Sequence, residues 1–445
     1  MRNRRAWSAT RTVVAGLACG VLALALPGTH ASAGAGRTAG AAHGAEQGER
    51  SASAVIEWMR TADATIDAEA HPVPPESFIW EAYVSTAVYN AVVGIEGRFA
   101  PYKWDQRAPR TASSAAAAAS AAHQVLRHHF PGAAPRLDAA LTDSLAKIPD
   151  GAAEDAGVAF GKLAADHIID LRRDDGRGAS VPFPARPHPG VWRPTPPGHE
   201  PFANAWIGRL RPLLLDSPHQ FRPGPPPALR SARYAKDLAE VAAYGGRTGS
   251  HRTPEQTDTA RYLTNLDLQG ALGDHATRHG FGIAETARLY AAANTAQTDA
   301  VITAWDAKLH YGTWRPVTAI READTDGNPA TRADPHWEPL LVTPAHPDYL
   351  SGHATMGGAL MRALTGVLGT SRVDLHIRST TTGTSRHYRY AHEYDRDVVD
   401  ARVWGGIHTR TADEVGNATG RRLAAWALRK YFRPAPLRAG PVPLP

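Results

Sequence analysis

The spacing of apolar positions predicts helices along almost the whole chain from Ala52 onward. Ile56, Met59 and Ile66 open the pattern, and Phe78, Ala82, Val84, Val88, Ala91 and Val92 carry an apolar stripe through the next segment. Ala-rich helical stretches follow at 111–129, 136–147 and 151–171, where alanine supplies both helix propensity and close packing. Periodicity resumes at Ala228 and is strongest over 283–309, where Ile283, Leu289, Ala293, Ala296, Ala300, Ile302, Ala304 and Leu309 form a broad apolar face. Strand-like alternation is nearly absent. The expected fold is therefore all-α, two helix bundles in one compact unit, with the second bundle carrying the chemistry.

A proline-rich stretch, 181–227, separates the two periodic regions. Its prolines exclude regular helix or sheet, while Trp192, Phe202, Trp206 and Phe221 give it apolar anchors that a flexible linker lacks. It reads as an ordered crossover between an N-terminal bundle (52–180) and a C-terminal bundle (228–445).

The N-terminus changes the picture of where the protein works. Arg2, Arg4, Arg5 and Arg11 precede an apolar run at 13–26 and the small triplet Ala31-Ser32-Ala33, the layout of a secretory signal peptide spanning 1–33. Residues 34–51, rich in Ala and Gly, read as a flexible mature N-terminus. The expected location is secreted or extracytoplasmic. The run is too short to span a bilayer, and no later segment has the length for one. Cys19, the only cysteine, leaves with the signal, so thiol chemistry and disulfides are excluded from the mature chain. Removing the four signal arginines takes the formal charge from +6 to +2, which offers no electrostatic footprint for nucleic acid.

Three stretches in the C-terminal bundle concentrate cations and hydrogen-bond donors. Lys308 and Arg315 are separated by nearly two helical turns, so both can lie on one helix face, with Pro316 ending or bending that helix. Ser351-Gly352-His353 reads as a loop entering a small-residue helix, whose N-terminus offers free amides and the positive end of a dipole. Arg402 and His408 precede a last helix running to Tyr431. Together they describe a site for phosphate or a phosphate-shaped anion.

In these motifs the chain resembles the superfamily that unites vanadium-dependent haloperoxidases with type 2 phosphatidic acid phosphatases and bacterial acid phosphatases. That pattern is K-x6-R-P, then P-S-G-H, then S-R-x5-H-x3-D, and it is met here by Lys308, Arg315-Pro316, Ser351-Gly352-His353, Arg402 and His408. The resemblance implies that Lys308, Arg315, Arg402, Ser351 and Gly352 bind the anion's equatorial oxygens. It implies that His408 bonds the central atom, vanadium in a vanadate cofactor, and that His353 is the acid–base group. Leu350, Ala401 and Ala412 depart from the pattern; with Ala412 at the aspartate position, Asp413 or another acid must orient His408.

The large N-terminal half and the Gln220–Pro225 segment resemble secreted bacterial haloperoxidase-like proteins. The expected function is therefore oxidation of a halide by hydrogen peroxide at His-bound vanadate, with a small organic substrate as a further partner. A secreted acid phosphatase using a phosphohistidine, and a non-catalytic oxyanion-binding protein, are the alternatives. His310 and His346 lie close enough in sequence to the motifs to enter the pocket. His376, His387 and His392, in a polar stretch read as a loop, and His128-His129 at a helix end are expected to be surface histidines rather than metal ligands.

Overall fold

In the computed structural model, residues 52–70, 75–183 and 186–436 are described. The expected signal peptide and mature N-terminal segment lie outside them. The described residues are 57% helix and 6% strand.

Five helices build the first bundle: α1 (Ser53–Ala70), α2 (Ser77–Glu96), α3 (Ser114–His129), α4 (Ala134–Leu145) and α5 (Ala152–Leu171). Helix α2 is apolar on nearly every face and, Trp80 apart, is buried from Ile79 to Ile95, so it is a core helix rather than an amphipathic one. Among the described helices it alone is long and apolar enough to cross a membrane, but 89% of its most apolar window is inside the protein. The alanines of α3 let α5 approach so closely that a Cβ on Gly161 would stand 2.3 Å from the Ala117 carbonyl oxygen.

The second half contains α6 (Ala232–Gly245), α7 (Pro254–Tyr262), α8 (Leu268–Arg278), the long α9 (Ile283–Tyr311), the short α10 (Pro316–Arg321), α11 (Gly352–Leu368), α12 (Ala391–Trp404) and α13 (Arg410–Lys430). Helix α9 packs against both α2 and α11. Helices α11 and α13 meet through glycines, a Cβ on Gly420 falling 1.9 Å from the Thr355 carbonyl oxygen. That contact fixes the first turn of α11 against the middle of α13.

One expectation is corrected in part. A small antiparallel sheet, β1 (Leu266–Asp267), β2 (Arg372–Ser379) and β3 (Ser385–Tyr390), interrupts the helices in the order β1-β2-β3. Val373, Leu375 and Ile377 point into the core while Arg372, His376 and Arg378 point outward, a short alternation that marks a strand with one wet face. His376 and His387 are thus strand residues, not loop residues.

The proline-rich stretch contains among its described residues only one short 3-10 turn, Ala205–Arg209, and is tied down along its length. The buried Asp299 carboxylate of α9 accepts the backbone amides of Leu213, Leu214 and Leu215 at 2.7–2.8 Å. Arg222 pairs with Asp306 through two hydrogen bonds of 2.7 Å, and the Tyr349 hydroxyl donates to the Gly224 carbonyl at 2.9 Å. The crossover thereby braces α9 and the loop before α11, the two elements that carry the first two motifs.

Candidate active site

Lys308 sits in the last turn of α9, which ends at Gly312 with a left-handed backbone (φ 56°) and a Gly312 amide bond to the Lys308 carbonyl. Gly312, not Pro316, therefore stops the helix; Pro316 opens α10 with Arg315 at the preceding cap position. The two cations are brought together by this turn rather than by one helix face. Both are fully buried.

The second motif caps α11. The Ser351 side chain accepts the Ala354 amide, and the Ser351 amide donates to the Ala412 carbonyl at 3.1 Å, so the second and third motifs are hydrogen-bonded to each other. Gly352 lies against the Trp305 ring, where a Cβ would be 3.0 Å from Cζ3. The amides of Gly352 and His353 belong to the first turn, which a helix cannot satisfy from within.

Arg402, from the last turn of α12, and His408, just before α13, complete the cluster. The Arg315 Nη1 lies 3.0 Å from His408 Nε2, and the same guanidinium donates to the Ile407 and Pro344 carbonyls. The Lys308 ammonium donates to the carbonyls of Pro347 and Asp348 at 2.6 and 3.0 Å. Arg402 donates to the Leu263 carbonyl, and His353 Nε2 meets the neighbouring Thr264 carbonyl, each at 3.2 Å. All seven predicted residues thus converge. Only His353 keeps partial exposure.

One residue escaped the sequence reading. His408 Nδ1 donates to the Asp348 carboxylate at 2.6 Å, and Asp348 also accepts the Thr409 hydroxyl at 2.7 Å. The acid that orients His408 is therefore Asp348 from the loop before α11, not Asp413. This bond assigns the His408 proton to Nδ1 and leaves Nε2 as the unprotonated nitrogen, facing Arg315 Nη1. Asp413 is also fully buried and faces the Ser351 hydroxyl; burial holds it well above the usual carboxylate range. His346 enters the site, its ring 4.7 Å from that of Trp305 and 6.4 Å from that of His408, whereas His310 points to solvent.

The electrostatics are those of positive charge taken out of water without a matching set of anions. Burial, followed by the neighbouring Arg315, pushes Lys308 well below its ordinary value, and burial pushes Arg315 and Arg402 down to about 10. Burial and then Arg402 push His353 down to about 3; burial and then Arg315 hold His408 neutral. Asp348 is pushed up to about 6 by burial, against the pull of Arg315. The Nε atoms of Arg315 and Arg402 are buried donors with no acceptor among the described residues. Leaving buried donors and cations unpaired costs folding free energy, on the order of 1–3 kcal/mol for each unpaired polar group. A tetrahedral oxyanion supplies the missing acceptors and charge, and the donor set present fits one.

Comparison with known proteins agrees with this geometry. Residues 288–435 match the family model of the VCPO second helical-bundle domain. The chain is 27% identical over 339 residues to a vanadium chloroperoxidase of Curvularia inaequalis, covering 60% of this chain and 54% of that protein, so it spans about half the length of that curated relative. The crystal structure of the first bacterial vanadium-dependent iodoperoxidase superposes with a TM-score of 0.74 at 24% identity, covering 87% of this chain and 98% of that one. A bacterial vanadium-dependent chloroperoxidase in its holo form gives a TM-score of 0.63 at 19% identity, covering 79% and 90%. The fold is that of the vanadium haloperoxidases, and the stretch that carries the three motifs lies within the matched second helical-bundle domain.

Proposed function

We propose that the chain is a vanadium-dependent haloperoxidase that oxidises a halide with hydrogen peroxide. The observation that carries this reading is the convergence of Lys308, Arg315 and Arg402 around a His408 whose proton is fixed on Nδ1 by Asp348. Lys308, Arg315, Arg402, the Ser351 hydroxyl and the Gly352 amide would hold the oxygens of vanadate, and the His408 Nε2 lone pair would bond the vanadium. Bound vanadate supplies Lewis-acid activation of peroxide without changing its oxidation state.

The protein's own groups then have separable tasks. The three buried cations bind and orient the anion and offset its charge, most strongly because water is excluded. His353, held neutral by burial and then by Arg402, donates its Nε2–H to the Thr264 carbonyl, which leaves Nδ1 as the nitrogen able to take a proton from an incoming peroxide. The partial exposure of His353 marks the side from which small reactants arrive.

Purified protein supplied with orthovanadate, hydrogen peroxide and iodide, bromide or chloride is expected to halogenate a phenolic probe only when vanadate is present. The Asp348–His408 pair also suits a phosphohistidine nucleophile, so p-nitrophenyl phosphate is assayed in vanadate-free buffer beside it. Phosphate release blocked by vanadate, with no halogenation, overturns the peroxidase reading in favour of a phosphatase. Turnover in neither assay leaves an oxyanion-binding protein. We further propose export from the cytoplasm with cleavage near Ala33, supported by the arginines, apolar run and small triplet of the first 33 residues; the mass of the protein recovered outside the cell tests it.

A further inference from the structure

A second arrangement of histidine and carboxylate lies on the outer face of the β2–β3 hairpin, independent of the oxyanion site. His376 and His387 are register partners, directly opposite each other across the antiparallel pair, with rings 4.5 Å apart. Side chains two apart on a strand share a face, which brings Asp374 to the same surface as His376. The register shift between Arg372 and Leu375, with Asp374 itself at φ 45°, turns that carboxylate toward His387. The Asp374 Oδ1 lies 2.7 Å from His387 Nε2.

The carboxylate is held rather than free. Its Oδ2 accepts Arg278 Nη1 and meets His279 Nε2, each at 2.9 Å, from the end of α8 and the residue after it. Oδ1 is therefore left aimed at the two facing histidines. One donor atom from each of Asp374, His376 and His387 falls within 4.8 Å of the others. Two imidazoles and a carboxylate are the donors that suit borderline first-row dications, bound at about 2.0–2.2 Å. Seating such an ion requires side-chain rotations that open the Oδ1–Nε2 pair by roughly half an ångström or more and draw the more distant donor inward. Arg278 balances the carboxylate's charge in the metal-free protein, and an outer-shell donor on the second oxygen is what orients a ligating carboxylate.

We infer that Asp374, His376 and His387 form a surface site for one zinc-class divalent cation, open to water at its remaining positions. The ion clips β2 to β3 and, through Asp374, both strands to the end of α8.

The test is calorimetric titration of untagged, EDTA-stripped full-length protein with Zn2+ alone. Saturable binding of one equivalent is expected, lost in the His376→Ala/His387→Ala double variant and weakened about 10-fold in His279→Ala. His408→Ala, which alters the oxyanion site, is expected to retain the full equivalent. Both substituted histidines are exposed, so the double variant should keep the wild-type circular dichroism spectrum in EDTA. Should it misfold, NMR of 15N-histidine-labelled wild type replaces it, zinc being expected to shift the imidazole signals of His376 and His387. The inference is overturned by no saturable binding, by equal affinity in the folded double variant, or by zinc shifting other histidines while leaving these two unmoved.

Discussion

Two imidazole–carboxylate pairs of this molecule, one buried and one outer, have opposite consequences. His408 and Asp348 are 2.6 Å apart with side chains 2% and 5% exposed; His387 and Asp374 are 2.7 Å apart with side chains 42% and 14% exposed. In the buried pair, desolvation dominates and lifts Asp348 to about 6 while suppressing the protonated form of His408. In the outer pair, hydrogen bonds from His387 and Arg278 hold Asp374 below the usual carboxylate range. Burial, not the identity of the pair, decides which proton state is favoured. The buried pair presents a neutral imidazole lone pair to an anion surrounded by cations; the outer pair presents a carboxylate and imidazoles to a cation.

The largest way to break this contrast is to remove a cation from the buried site. Arg402→Ala is expected to lower halogenation turnover by about 10²–10³-fold, measured at saturating vanadate with circular dichroism to confirm the fold. Asp348→Asn removes the acceptor that fixes the His408 proton on Nδ1. A loss of about 10–100-fold in vanadate affinity is expected from it, read from the vanadate dependence of activity.

The two carboxylates should also respond to pH with opposite sign. The folded state holds the Asp348 proton more tightly than the unfolded chain, so this group costs stability as pH rises from about 3.8 to about 6. Asp374 is depressed, so its contribution is present above the unfolded value and is lost as pH falls through its lower folded value. Wild-type Tm minus that of Asp348→Asn should therefore fall with rising pH over that window. The same difference for Asp374→Asn should rise with pH up to about 4. Equal slopes contradict the comparison. The smallest effect belongs to His387→Ala in chelator, where loss of an exposed pair is expected to cost less than ~1 kcal/mol in denaturant unfolding.

The sequence showed the helical bundles and every cation of the oxyanion site because those signals are local: periodicity, a K-x6-R spacing, an N-cap serine before small residues. Asp348 was invisible as a partner for His408 because sixty residues separate them, and only the loop bracing by Tyr349 and Lys308 brings it round. Proline is the stronger stop signal in the sequence, yet the left-handed Gly312, three residues before Arg315, ends α9 ahead of Pro316. The hairpin was missed because Val373, Leu375 and Ile377 make a short alternation inside a chain that is otherwise helical, and a strand too short to stand out takes its two histidines with it. Cross-strand register, which pairs His376 with His387, is a tertiary fact that no spacing rule contains.

The central claim is that one oxyanion is held by residues from three distant stretches, with His408 as the bond to its central atom. A crystal structure of the protein soaked in orthovanadate tests it most directly. Density for vanadate bonded to His408 Nε2 and hydrogen-bonded to Lys308, Arg315 and Arg402 is the expected result; vanadate bound elsewhere, or with His408 turned away from it, contradicts the account.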